Sequence, residues 1–292
     1  MNNARIRVVF FLAALLLSAI TLPSRGEEIV ALTTANTLLK FDSATPGIVG
    51  APISITGLLP DETLYDIDFR PADRKLYAIG SSNQVYRIDS LGAATAVSTL
   101  SVALDSSLHF GIDFNPAVDR LRIVSPAGQN LRANVDTGAT LTDTPLNGAA
   151  TGADSVAYTN PDTDPNTGTA LFYIGSGSPA NLFNTANPNG GVLALVGSLG
   201  ANSTLRVGFD ISRTAIAYAS LTDAQTFDST LYTIDLATGA AAPLGVIDSG
   251  LFSIAGIATQ PVPEPGTLLL GAIGGAIAAL AARRRVVAKR QA

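Results

Sequence analysis

Four short turns recur along the chain at nearly equal intervals, and that spacing constrains the fold more than any other feature. Each joins an apolar residue, an Asp, a few small or polar residues and a Gly: Phe41-Asp42 to Gly47, Ile88-Asp89 to Gly92, Val135-Asp136 to Gly138, and Ile234-Asp235 to Gly239. The aspartates lie 47, 47 and 99 residues apart; the last interval is two periods, with a degenerate copy near Asn184 to Gly191. Asp shortly before Gly is turn chemistry, because the carboxylate accepts nearby backbone N–H groups and Gly tolerates positive φ.

The flanks of these turns read as strands, for example Gln84 to Ile88 before one and Ala94 to Ser98 after it. A second set of landmarks precedes the turns: Asp66-Ile67-Asp68-Phe69, Gly111-Ile112-Asp113-Phe114 and Val207-Gly208-Phe209-Asp210. Each leads into a further strand, over 75–80, 120–125 and 214–220. Four strands repeated every 40 to 50 residues or so predict β-propeller blades. The stretch 27–260 holds five such units. Its start, Glu28 to Leu32, reads as a second strand, and its end, Phe252 to Ala258, as a first strand. Together they complete one blade from both termini. The expected fold is therefore all-β, a five-bladed β-propeller with four-stranded blades; the alternative is a β-sandwich of irregular hairpins. No long segment with a 3.6-residue period supports a helical body.

The segments Gly111-Ile112-Asp113-Phe114-Asn115-Pro116, Asp119 to Ser125 and Asn130 to Gly138 resemble the core of a secreted bacterial family known as domain of unknown function 4394. The resemblance runs over nearly all of residues 29–258. It implies a fold of this kind and carries no established activity or catalytic residues.

Both ends read as addresses. Arg5 and Arg7 precede an apolar stretch from Val8 to Ile20, followed by small residues at Ser24 and Gly26, which predicts a signal peptide over 1–26. The tail, 261–292, begins with a motif at 262–266 containing Pro263, Glu264 and Pro265. An uncharged apolar run follows over 267–282, then a basic end over 283–290. Sixteen residues at about 1.5 Å each span roughly 24 Å, a marginal membrane helix, with the basic cluster held on the cytoplasmic side. The three-part tail resembles the PEP-CTERM sorting signal, which implies cleavage by the membrane protease exosortase and release toward the cell surface. The partners expected are exosortase and the secretion machinery, with the membrane engaged only through the two addresses.

Between the addresses stand 22 acidic and 10 basic residues, about 12 net negative charges that the whole-chain value of -5 conceals. Such a body argues against nucleic acid or anionic lipid as partners; an exopolysaccharide, a surface protein or divalent cations suit it better. The chain has no cysteine, so disulfides, thiol nucleophiles and thiolate metal sites are excluded.

Candidate chemistry is sparse. His109 is the only histidine, with Asp105, Ser107 and Asp113 near it in sequence, and it reads as a strand-edge or loop residue rather than a base. A single His rules out an HExxH zinc site. Asp162, Asp164 and Asn166, at alternate positions before Gly168, present oxygen ligands that could wrap calcium. The Gly stands one place late for an EF-hand loop and no Glu closes it, so an ordinary turn between the first two strands of blade four explains the same residues. Asp119, Arg120, Arg122, Arg132 and Asp136 form the densest charged cluster. They read as a ladder sealing one blade against the next, with a paired-arginine grip on a carboxylated sugar as the alternative.

The expected function is an exported, non-enzymatic binding or structural propeller, with no cofactor unless calcium. Two alternatives stand beside it. One is a hydrolase or lyase acting on exopolysaccharide through channel carboxylates, which needs two acids about 5–10 Å apart in a cleft. The other is a calcium-dependent adhesin.

Overall fold

A computed structural model describes residues 26–105, 109–164, 166–203, 206–223 and 225–261. The first blade takes β1 (Glu28–Thr33), β2 (Thr37–Asp42) and β3 (Ile53–Ser54) from the start of the body. Blade two comprises β4 (Leu64–Phe69), β5 (Leu76–Gly80), β6 (Gln84–Ile88) and β7 (Ala94–Thr99). Blade three comprises β8 (Gly111–Asn115), β9 (Arg120–Val124), β10 (Asn130–Ala133) and β11 (Thr140–Thr142). A two-residue strand, β12 (Asn147–Gly148), precedes blade four, which continues as β13 (Ser155–Tyr158), β14 (Leu171–Gly175), β15 (Asn181–Thr185) and β16 (Val192–Ser198). Blade five comprises β17 (Val207–Ile211), β18 (Ala217–Thr222), β19 (Ser229–Ile234) and β20 (Ala241–Val246). The last strand, β21 (Ile254–Thr259), pairs with β1 and becomes the inner strand of blade one, so the order there is β21-β1-β2-β3.

The five blades and the closure from both termini match the sequence reading. Blade four adds one element to it, since β12 lies parallel to β16 on the outer edge. The repeated turns are the hairpins between the third and fourth strands. Asp42, Asp89 and Asp235 each accept backbone N–H groups two residues on, and Gly92, Gly138 and Gly239 take positive φ. The degenerate copy is a short 3-10 turn, Pro188–Gly190, capped by Asn187. The strand expected over 214–220 starts later, at Ala217, because Ser212 to Ala215 form a turn with Ala215 at φ 64°.

The core is distributed between blades. One apolar cluster fills each junction, as where Tyr77, Ile79 and Val85 of blade two meet Phe114, Leu121 and Leu131 of blade three. Inner strands are covered on both faces, so β21 is buried along its full length and reads as a continuous small-apolar run rather than an alternation. The inner strands β21, β4, β8, β13 and β17 neighbour one another in a closed ring. That ring brings together residues far apart in sequence.

Candidate functional site

The inner strand of each blade is a sheet edge, hydrogen-bonded on its outer side only, so its remaining N–H groups need partners from elsewhere. Aspartates of the neighbouring blade supply them. Asp66 accepts from Ile112 N–H at 2.9 Å and Asp68 from Phe114 N–H at 2.7 Å. Asp113 accepts from Tyr158 N–H at 3.2 Å, and Asp210 from Thr259 N–H at 2.5 Å and its hydroxyl at 2.7 Å. Asp68, Asp113 and Asp210 therefore stand at one level of the ring, where β13 and β21 carry Ala157 and Ala258. All four aspartates are buried.

Oxygens of Asp68, Asp113 and Asp210 lie within 4.8 Å of one another, close enough for a hard cation to sit between them. Without one, three carboxylates at this distance share protons. Burial pushes Asp66, Asp68 and Asp113 well above the ordinary carboxylate range, and the charge of Asp210 adds to the shift at Asp68. Asp210 is raised by the same burial. A carboxyl raised in the folded state binds its proton more tightly there, so stability falls as pH rises from the unfolded value of about 3.9 through the folded one. Glu62 goes the other way: burial opposes its charge, but hydrogen bonds from Ser82, Tyr86 and Ser81 outweigh that and hold it low. Stability should thus rise as pH falls from 8 toward 5 and decline below about 4. Asp113→Asn keeps an acceptor for Tyr158 while removing a charge. It should raise Tm by a few degrees at pH 8 and flatten the profile. A drop at pH 8, as expected when a metal ligand is lost, would overturn proton sharing.

The charged residues between blades form two clamps, not one ladder. Arg70, which follows β4, donates to Asp119 and Asp136 of blade three, with 2.8 Å contacts to each, and packs over the Tyr77 ring. Arg122 and Arg132 instead converge on Asp143, at 2.6 and 2.7 Å, and Arg122 reaches Asn189 of blade four at 3.0 Å. Arg120 is exposed and donates to the carbonyls of Val118 and Asp119. Arg122 is fully buried, so Arg120 and Arg122 make no paired grip, while the sealing role expected of the cluster is present. Arg70 and Asp143 are its members that sequence spacing did not reveal.

Asp162 and Asp164 lie in the loop between β13 and β14, as expected. Asp162 accepts the N–H of Asp164 at 2.8 Å, and Asp164 accepts both the N–H and the side-chain amide of Asn166 at 2.9 Å. Asp162 also lines a pocket of about 40 Å³ at one end of the channel, with Glu27, Asp68, Asp210 and Thr259. The calcium expectation for Asp162, Asp164 and Asn166 rests on their spacing. His109 pairs with Asp154 at 2.6 Å, a partner 45 residues away that sequence proximity did not suggest. Pro263, Glu264, Pro265, the signal stretch 1–25 and the run 267–282 lie outside the described residues. Among the described residues no helix is long and apolar enough to cross a membrane.

Sequence reasoning used Asp66, Asp68, Asp113 and Asp210 only as strand landmarks. Their recurrence at one offset in successive units was the available signal, since equal offsets in a propeller occupy one level of the channel.

These features define a five-bladed β-propeller closed by its first and last strands. The chain belongs to the family described as domain of unknown function (DUF4394), which matches residues 37–258. A PEP-CTERM protein-sorting motif matches residues 261–285, which marks the chain for exosortase processing, export and the cell surface. No curated protein matches. Among solved structures, the chain is similar to a structural genomics protein of unknown function from Bacteroides thetaiotaomicron, at 15% identity and TM-score 0.50, covering 81% of this chain and 65% of that one. It is also similar to a chain of a nidogen/laminin complex, at 13% identity and TM-score 0.48, covering 80% and 98% respectively. At such identities the first likeness speaks for the fold alone.

Proposed function

We propose that this chain is an exported, non-enzymatic propeller displayed at the cell surface, where its body binds or structures the extracellular matrix. The observation that carries this reading is adjacency: the last strand of the ring ends at Thr259 and the sorting motif begins at residue 261. A complete fold thus stands directly ahead of a cleavable tail. An N-terminal signal over 1–26 and a transient anchor over 267–282 complete the route, with exosortase and the secretion machinery as partners.

The channel chemistry supports a non-catalytic body. Each buried carboxyl of the ring holds a backbone N–H of the next blade, a structural task that accounts for its place there. A glycosidase needs a substrate between its two acids, commonly about 5–9.5 Å apart.

The test is fractionation of an exosortase-bearing host expressing the full chain. The wild type should reach the surface shortened at its C-terminus and accessible to added protease. Pro263→Ala with Glu264→Ala and Pro265→Ala should stay at full length in the inner membrane. Wild-type chain retained there uncut would refute the reading.

A further inference from the structure

The body carries an excess of negative charge, yet its cations are not spread evenly. Arg70, Arg122 and Arg132 are held in ion pairs. Lys40, Arg74, Lys75 and Arg87 line one groove of about 460 Å³ between blades one and two. None of these four side chains makes a hydrogen bond or ion pair with a described residue, whereas Arg70, Arg120, Arg122 and Arg132 are engaged. Among the described residues Asp89 is the one acid that lines the groove, and its Oδ1 already accepts the N–H groups of Leu91 and Ala93.

Four like charges gathered in one concavity repel one another and gain nothing for the fold; alternation along β2 puts Lys40 on the face of buried Leu38, directed into the junction. Arg74, Lys75 and Arg87 are exposed. The wall beneath is aliphatic, formed by Val30, Leu38, Leu76 and Ile88. Phe69, Arg74 and Gln260 line both this groove and the pocket at the channel end, so the two are adjacent.

From this we infer that the groove between blades one and two binds a linear polysaccharide bearing carboxylates, with Lys40 and Arg74 on the acid groups and the aliphatic wall under the sugar rings. The inference rests on the surface-displayed binding role proposed above and names its ligand class. Charge complementarity selects the occupant. A nucleic acid places a charge about every 1.7 Å along a duplex and would meet the repulsion of the acidic body. A single strand would seek aromatic stacking platforms, and the groove offers aliphatic side chains with only Phe69 among them. A uronate chain carries its charges farther apart, on rings whose C–H faces suit such a wall.

The experiment measures binding of polygalacturonate, its fully methyl-esterified form and a deoxythymidine oligomer to the purified full-length chain. Polygalacturonate should bind, more weakly as salt is raised, and the neutral ester should not. The Lys40→Glu/Arg74→Glu variant should lose at least about tenfold in affinity with its Tm unchanged, since charge-assisted contacts are the strong ones. Arg120→Glu, an equal charge change at an exposed site outside the groove, should bind as wild type does. Equal binding by the groove variant, equal binding of the ester, tighter binding of the oligonucleotide, or no binding by folded protein would each overturn the inference. Absence of binding in a chain that still reaches the cell surface refutes the groove alone; failure to reach the surface refutes the reading beneath it.

Discussion

Arg122→Ala is expected to destabilise the folded chain by about 3–5 kcal/mol, the range for breaking a buried ion pair. The side chain is 1% exposed and its partner Asp143 is 5% exposed. It donates to Asn130 at 2.8 Å and Asp143 at 2.6 Å within blade three, and to Asn189 at 3.0 Å and Tyr158 at 3.4 Å in blade four. Truncation therefore leaves a cavity at a blade junction and removes one of two cations from a buried carboxylate. Arg132 remains on Asp143 but is partly exposed, so it compensates in part. Replacing both partners, as Arg122→Met with Asp143→Leu, should recover part of the loss, because the one charge then left without its partner, Arg132, is partly exposed. Urea titration of the wild type, Arg122→Met, Asp143→Leu and the double variant gives the coupling energy directly. A loss below about 1 kcal/mol for Arg122→Ala would show that the clamp contributes little, as an exposed pair would.

Gly111→Val should be at least as severe, about 3 kcal/mol or more, and by a different route. Gly111 opens β8, and a Cβ there would stand 2.9 Å from the carbonyl oxygen of Asp154 and closer still to the backbone of Ser155. Those atoms belong to the neighbouring blade and cannot rotate away as a side chain would. Gly208 meets the backbone of β21 in the same manner, whereas Gly256 faces the carboxyl group of Asp66. A five-bladed ring has a narrow centre, and at Gly111 and Gly208 its inner strands approach closely because no side chain stands between them. Thermal unfolding of the variant checks this: a change in Tm under about 3 °C would mean that the inner strands can part without loss.

The architecture was legible because its signals are local. The hairpin at Asp89 needs only its own turn residues, and β1 and β21 announce themselves as unmatched halves of one unit. The contents of the channel were hidden for the opposite reason. Asp68, Asp113 and Asp210 stand 45 and 97 residues apart and meet only after the ring closes. The partner of Arg122 was invisible likewise, since Asp143 lies beyond the end of β11 in an irregular stretch with no repeat to mark it. The same holds for the groove, whose cations come from β2, β6 and the turn after β4.

Closure by the final strand also governs when the body can become native. Synthesis and export deliver β1 first, yet the strand that covers its inner edge is the last one made, so a chain stopped before Ile254 leaves Ile29, Ala31 and Leu32 without their neighbours. Without β21 the inner edge of β1 stays open, so the ring closes only when its last strand arrives. That strand ends at Thr259 and the sorting motif begins at residue 261, so the latch of the ring and the address of the chain are neighbours.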